Sequence, residues 1–236
     1  GAEAPPIKVV VVTLDNHLAS AADRAVERLQ KSYPGIQLAF HAAADFAASE
    51  ERLAQCHADI ASGDIIVANM MFLEDHINAV LPALSERAPH CDAIVGAMSG
   101  PEIVRLTRLG DLDMGAPQGG LMKALKKLRG GAGKDPAKAG GKSQMGLLRA
   151  LPKVLRFLPG KAQNLRSYFL TMQYWLAGSE ENFANMIGHL IDRYAAGPRT
   201  VYRGRASVDA PIEYPEEGLY HPDCESRITE RAAALP

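Results

Sequence analysis

Cysteine is scarce in this chain of 236 residues, where it occurs only at Cys56, Cys91 and Cys224. An odd number of widely spaced cysteines argues against a disulfide framework and against a C-x-x-C metal site. We therefore expect a reducing, cytoplasmic environment.

No apolar run reaches the ~20 residues that cross a membrane, so we expect no transmembrane segment. The first residues also lack the basic-then-apolar order of a secretory signal.

Glycine is missing where two kinds of nucleotide site would need it. Residues 2–34 contain none, which excludes a dinucleotide-binding fingerprint at the first strand. The stretch "GGAGKDPAKAGGKSQ" at 130–144 ends like a phosphate-binding loop, but Pro136 stands where that loop requires its first glycine. Proline has no N–H to donate to phosphate. We interpret residues 119–144 as a basic linker rich in glycine and lysine, with no bound ATP.

Acidic residues are nearly absent from one part of the chain. Residues 121–166 carry 12 basic and 1 acidic side chains, whereas residues 1–120 carry 8 basic and 16 acidic ones. This asymmetry predicts an anionic partner, or a contact with the chain's own acidic surface. The basic part has one aromatic residue, Phe157, so it offers no stacking platform and we expect no nucleic-acid partner.

Alternating strand and helix patterns predict the fold class. Buried β-branched runs at 7–13, 36–41, 64–70 and 92–98 are each followed by an amphipathic helical pattern. Such alternation indicates an α/β fold, a doubly wound parallel sheet of at least four strands with helices on both faces, followed by a helical segment. We expect Asp15 or Asn16 to cap the first helix.

The predicted organisation has four parts. We expect a Rossmann-like α/β domain at 1–118, the linker at 119–144 and a helical segment at 145–197. We interpret residues 198–236 as an extended, proline- and charge-rich tail that leads to a further domain downstream. Within the helical segment, Arg149, Lys153 and Arg156 lie opposite an apolar helix face and are candidates for binding porphyrin or a partner protein.

Polar residues follow the predicted strands at the edge where doubly wound sheets bind ligands. The candidates for this strand-end crevice are Asp15, His17, Asn69, Ser99 and Glu102. Asp15 and His17 also approach the D-x-H-x-x-G loop of cobalamin-binding domains, although Ser20 replaces its glycine. A binding module for a small ligand or a corrinoid is therefore the alternative function. No spacing forms a metal site or a catalytic triad, so we assign no metal ligand and no catalytic residue.

Longer stretches resemble a known family. "GDIIVANMMFLEDHI", "SGPEIVRLTRLGDLDM" at 99–114 and "YPEEGLYHPD" at 214–223 each look like segments of it. The most specific stretch is "LLRALPKVLRFLPGKAQNLRSYFLTMQYWLAGSEENFANMI" at 147–187. In this order, and over nearly the whole chain, they resemble the N-terminal region of the large, porphyrin-binding H subunit of magnesium chelatase. The bacterial photosynthetic form is the nearest.

The resemblance implies a function that composition and spacing do not reveal. The family's enzyme inserts Mg2+ into protoporphyrin IX, at the start of the (bacterio)chlorophyll branch, and two AAA+ partner subunits hydrolyse the ATP. Protoporphyrin IX, Mg2+ and ATP would then serve the whole complex, and we assign no cofactor to this segment itself. We expect the segment to be inactive alone, with the catalytic residues downstream of Pro236. It could also be a scaffold that organises the larger subunit.

Overall fold

The computed structural model describes residues 3–116, 161–205 and 211, together with the backbone of two short antiparallel strands at Leu219–Tyr220 and Ile228–Thr229. The predicted linker at 119–144 lies outside the described residues, as do Arg149, Lys153 and Arg156. The division into four parts therefore stays a prediction.

A mixed, mostly parallel sheet forms the centre of the described chain. Its strands are β1 (Ile7–Thr13), β2 (Ile36–Ala42), β3 (Ile65–Asn69), β4 (Ala93–Ala97), β5 (Arg108–Leu109) and β6 (Leu112–Asp113), in the spatial order β2-β1-β3-β4-β5-β6. Strands β1 to β4 are parallel, which confirms the predicted fold class. Strands β5 and β6 add an antiparallel edge that the sequence did not reveal, because two-residue strands carry no periodicity.

Helices cover both faces of the sheet. They are α1 (Ala19–Ser32), α2 (Glu50–Ser62), α3 (Glu74–Arg87), α4 (Pro101–Val104), α5 (Lys161–Ala177) and α6 (Glu180–Tyr194), with 3-10 helices at Ala43–Ala48 and Gly197–Tyr202. One core contains Val9, Val11 and Val67 with residues of α1, α5 and α6. The other contains Val10, Val12 and residues of α2, α3 and α4. Helices α5 and α6 thus share a core with the sheet.

The strand order fixes where a ligand site should lie. From β1 the chain crosses to β2 on one side, whereas β3 and β4 follow on the other side of β1. The crossovers therefore reverse direction between β1 and β3. In an open α/β sheet this reversal leaves a crevice beyond the carboxyl ends of the two strands, and ligands bind there.

The start of α1 differs from the prediction. Neither Asp15 nor Asn16 caps the helix, which begins at Ala19 after Leu18 with no side-chain cap. Asp15 Oδ1 instead accepts the backbone N–H of His17 at 2.9 Å, and the Asn16 carbonyl accepts that of Ala19. This extra turn competes with helix formation, as aspartate and asparagine often do. It moves the helix start away from the strand end and leaves room above β1.

The 3-10 helix at Gly197–Tyr202 corrects the start of the tail that we expected to be extended from residue 198. Tyr202 is fully buried and packs edge-to-face on Tyr33, with ring centroids 5.6 Å apart. Its hydroxyl accepts the N–H of Gly35 and donates to the carbonyl of Pro5. This segment therefore closes the amino-terminal end of the sheet.

A buried histidine lies between α5 and α6. The hydroxyl of Ser167 donates to the Gln163 carbonyl, so Nε2–H of His189 donates to that hydroxyl at 2.8 Å. Burial first, and then the positive charges of Arg166 and Arg193, lower the pKa of His189 to about 4. The folded protein therefore holds His189 neutral at pH values where the unfolded chain protonates it.

We expect this histidine to make stability depend on pH. Its pKa is about 4 in the folded state and about 6.5 in the unfolded chain. Between these values the unfolded state binds more protons, so the free energy of unfolding should fall as pH falls, by on the order of 2 kcal/mol between pH 7 and 4.5. Urea unfolding of wild type and His189→Gln across this range measures it. Parallel stability curves for the two proteins would contradict the assignment.

Candidate ligand-binding crevice

A crevice of about 560 Å³ lies at the carboxyl ends of β1 and β3, where the crossovers reverse direction. Its volume is within the range of roughly 300–1,000 Å³ that is typical of small-molecule sites. The described residues that line it come from the end of β1, the start of α1, the residue after β3 and the junction of α5 with α6: Thr13, Leu14, Asp15, His17, Leu18, Ser20, Ala21, Arg24, Met70, Trp175, Leu176, Ala177, Gly178 and Ser179.

The far wall comes from a part of the chain more than 150 residues from β1. Trp175 is 8% exposed and packs against Phe183 of α6, with ring centroids 6.4 Å apart. Leu176 lies beside it in the crevice and is 48% exposed. An aromatic ring and an exposed leucine on one wall suit an apolar, planar ligand.

Left-handed backbone occurs on both sides of the crevice. Met70, directly after β3, has φ of +63°, and Gly178 and Ser179 have φ of +64° and +68°. For a residue with a side chain this conformation costs about 1–3 kcal/mol and is common at ligand sites. The Ser179 hydroxyl accepts the N–H of Asn182 at 3.2 Å and so caps α6. The cap holds the junction against the crevice.

The polar rim includes two of the predicted site residues. Asp15 and His17 line the crevice and are exposed, as are Ser20 and Arg24 on the first turns of α1. Arg24 Nε lies 3.1 Å from Glu180 Oε2 at the start of α6, so an ion pair joins the two walls. Sequence reasoning missed Arg24 because it belongs to a helix pattern, with no signal that separates it from the other charged residues of α1.

The other three predicted residues do not line the crevice. Asn69 Oδ1 accepts the N–H of Ala97 at 3.2 Å. The Ser99 hydroxyl accepts the N–H of Met71 at 3.0 Å and donates to the Ala97 carbonyl at 2.9 Å. These two side chains join the loops that follow β3 and β4. Glu102 is exposed in the first turn of α4. Of the five predicted residues, two thus line the crevice, Asp15 and His17.

A second polar cluster lies across β1, β2 and α2, apart from the crevice. Asp59 Oδ1 is 2.7 Å from Lys8 Nζ, and its Oδ2 is 2.7 Å from His41 Nε2. Burial acts to raise the pKa of Asp59, but hydrogen bonds from Lys8, His41 and Gln55 outweigh it and lower that pKa. Because these side chains bond to one another, we interpret the cluster as a structural link between sheet and helix.

Two further properties concern the described residues as a whole. Among them, no three histidine, cysteine, aspartate or glutamate side chains come together as a set of metal ligands. In the same part of the chain, every helix is too short or too polar to cross a bilayer.

Comparison with protein families gives a match over most of the chain. Residues 8–169 match the family described as Domain of unknown function (DUF3479). The chain belongs to this family. Residues 172–236 match the family described as CobN/Magnesium Chelatase. The two matches meet inside α5, a continuous helix of 17 residues that packs in one core. The meeting point of the two families is therefore not a break in the fold.

Several relatives are named for magnesium chelatase. The chain is 50% identical to the magnesium-chelatase H subunit of Cereibacter sphaeroides, over 98% of this chain and 19% of the relative. It is 47% identical to the protein of that name in Rhodobacter capsulatus, over 97% of this chain and 19% of the relative. It is 28% identical to the chloroplastic magnesium-chelatase ChlH protein of Oryza sativa subsp. indica, over 92% of this chain and 16% of the relative.

These matches confirm the resemblance to the H subunit and favour it over the corrinoid-binding alternative. They extend over almost the whole of this chain, from the α/β sheet through α5 and α6. The chain spans about a fifth of the length of the relatives in Cereibacter and Rhodobacter.

Proposed function

We propose that the chain is part of the H subunit of a magnesium chelatase and that its crevice holds the tetrapyrrole. The whole enzyme would insert Mg2+ into protoporphyrin IX for (bacterio)chlorophyll synthesis in the cytoplasm, with ATP hydrolysed by two AAA+ partner subunits. The observation that carries the proposal is the 50% identity to a magnesium-chelatase H subunit over 98% of the chain.

The geometry of the crevice supports a binding role for this part of the subunit. Trp175, Leu176 and Met70 give it an apolar wall suited to a flat macrocycle, and Arg24 and His17 give it a polar rim. The described lining residues form no catalytic grouping, since Asp15 and His17 are exposed and the Asp15 carboxylate accepts the backbone N–H of His17 and not its side chain. We therefore assign binding to this part and metal insertion to the whole subunit.

Filling the crevice should weaken porphyrin binding. Ser20 lines the crevice and is exposed, so Ser20→Tyr should place a ring in the ligand's space without disturbing the core. We expect the dissociation constant for protoporphyrin IX, measured from the change in porphyrin absorbance, to rise at least tenfold, which corresponds to about 1.4 kcal/mol.

The matched control is Gln30→Tyr, which adds the same ring to an exposed position of the same helix outside the crevice. It should leave porphyrin affinity within twofold of wild type. Equal affinities for Ser20→Tyr and Gln30→Tyr would show that porphyrin binds elsewhere. Absence of porphyrin binding to the wild-type chain would overturn the binding role of this part altogether.

A further inference from the structure

Arg24 of the crevice rim and Arg28, one turn further along α1, share one carboxylate. Arg24 Nε lies 3.1 Å from Glu180 Oε2, and Arg28 Nε lies 3.6 Å from Glu180 Oε1. The side chains of Arg24 and Arg28 are 60% and 48% exposed, and that of Glu180 is 33% exposed. These three groups together carry a net charge of +1, and Asp15 is the carboxylate among the lining residues.

The contact with Glu180 uses only one of the N–H donors of Arg24. A guanidinium carries five N–H donors in a planar fork that matches the two oxygens of a carboxylate. Within the described part of the chain, only Nε of Arg24 has a partner, and the terminal nitrogens have none. Exposed ion pairs of this kind change an equilibrium constant by a factor of about five or less. A ligand carboxylate could therefore replace Glu180 at small cost.

The same turn positions Glu180 and the apolar wall. Trp175 and Leu176 end α5, Gly178 and Ser179 form the left-handed junction, and Glu180 begins α6. A ligand whose flat apolar body lies against Trp175 would thus extend its polar end towards Arg24, where the Glu180 carboxylate now lies. The crevice therefore has an apolar wall, and beside Arg24 it has a position for a carboxylate, which the Glu180 side chain occupies.

We propose that Arg24, assisted by Arg28, recognises a free carboxylate of the bound ligand, and that Glu180 occupies this position when the ligand is absent. This inference rests on the proposed function, because it takes the crevice as the porphyrin site. The group recognised would be a propionate of protoporphyrin IX. Glu180 competes with the ligand for Arg24, so the empty site keeps its arginines paired and favours ligands with a free acid over neutral ones of the same shape.

Esterified porphyrin tests this recognition, since a dimethyl ester keeps the macrocycle and removes both carboxylate charges. Binding of protoporphyrin IX and of its dimethyl ester is measured by porphyrin absorbance for wild type, Arg24→Gln and Glu180→Gln. We expect Arg24→Gln to weaken binding of the diacid about tenfold and Glu180→Gln to tighten it about threefold. Neither variant should change binding of the diester by more than twofold, because the diester does not use Arg24.

Two further variants sharpen the test. Lys31→Gln removes an exposed positive charge from the last turn of α1, outside the crevice lining, and should leave both affinities unchanged. In the double variant Arg24→Gln/Glu180→Gln, the gain from Glu180→Gln should vanish if Glu180 acts by occupying Arg24.

The outcomes separate this inference from the proposed function. If the diacid and the diester respond alike to Arg24→Gln, or if neither responds, carboxylate recognition by Arg24 is wrong while the porphyrin site stands. If wild type binds neither porphyrin, or if Ser20→Tyr leaves porphyrin binding intact, the proposed site is wrong and the inference falls with it.

Discussion

The Gly35→Ala variant should lose about 3 kcal/mol or more of its free energy of unfolding, because the space beside Gly35 is filled by backbone. A Cβ at this position would lie 2.2 Å from the carbonyl oxygen of Pro5 and 2.6 Å from the hydroxyl of Tyr202. A flexible side chain could move away, but the Pro5 carbonyl belongs to the segment that leads into β1. Overpacking of this kind costs typically about 1–3 kcal/mol and occasionally more.

The hydrogen bonds around Gly35 increase the expected loss. The Gly35 carbonyl accepts the N–H of Ile7 at 3.0 Å, and its own N–H donates to Tyr202 at 3.1 Å. Relief of the clash would lengthen both bonds and separate the 3-10 helix from the sheet. Urea unfolding at pH 7 gives the change in free energy.

Gly197→Ala is the matched control for Gly35→Ala. Gly197 has φ of +57°, but a Cβ there would meet nothing within 4 Å. The control should therefore cost only the strain of a left-handed alanine, about 1 kcal/mol. An equal or smaller loss for Gly35→Ala than for Gly197→Ala would show that Pro5, Gly35 and Tyr202 are not in close contact.

Removal of Arg199 should also destabilise the protein strongly. Its guanidinium forms two 2.8 Å hydrogen bonds with Asp92, from Nε to Oδ2 and from Nη2 to Oδ1. Nη2 also lies 3.5 Å from Asp64 Oδ1. Hydrogen bonding to Asp92 raises the pKa of Arg199. The side chain of Asp92 is 5% exposed and would lose its cation.

We expect Arg199→Met to lower the free energy of unfolding by about 3 kcal/mol, since removal of one partner leaves a buried carboxylate uncompensated. Arg52→Met removes an exposed pair, with side chains 64% and 29% exposed, and should cost less than about 1 kcal/mol. Addition of Asp92→Asn to Arg199→Met should recover part of the loss. If Arg199→Met and Arg52→Met have the same effect in urea unfolding, the bidentate pair does not hold the 3-10 helix to the sheet.

The central strands could be predicted from sequence because their burial leaves a distinct pattern. The strand predicted at 7–13 agrees with β1 at both ends. The helical pattern predicted after it corresponds to α1, whose buried residues Ala21, Ala25 and Leu29 recur at helical spacing. Such patterns reflect the burial of each residue and of its near neighbours along the chain. The strands of a parallel sheet are buried on both faces, so they appear in the sequence as continuous apolar runs.

The position of α5 and α6 could not be predicted in the same way. Their patterns show that each helix buries a face, but a periodic face does not say which partner covers it. Helix α6 buries residues all round and packs against both α1 and α5. The sequence predicts a helical segment after the linker, and the structure adds that α5 and α6 pack in the core on one face of the sheet.

Only one side of the crevice could be predicted from the sequence. The ends of β1 and β3 followed from the rule for parallel sheets, which identified Asp15 and His17. The opposite wall, with Trp175 and Ser179, depends on a tertiary contact between segments far apart in the chain. For the same reason no sequence pattern indicated the pair between Arg24 and Glu180, which are separated by 156 positions.

Porphyrin binding in the crevice beside Trp175 is best tested by fluorine NMR of the chain labelled with 5-fluorotryptophan. Trp175 is the one tryptophan of the sequence, so the label gives a single resonance. We predict that protoporphyrin IX shifts this resonance strongly, because the ring current of a macrocycle acts only at short range, and that the shift saturates together with the absorbance change. A resonance that stays in place while absorbance shows the porphyrin fully bound would contradict binding in this crevice.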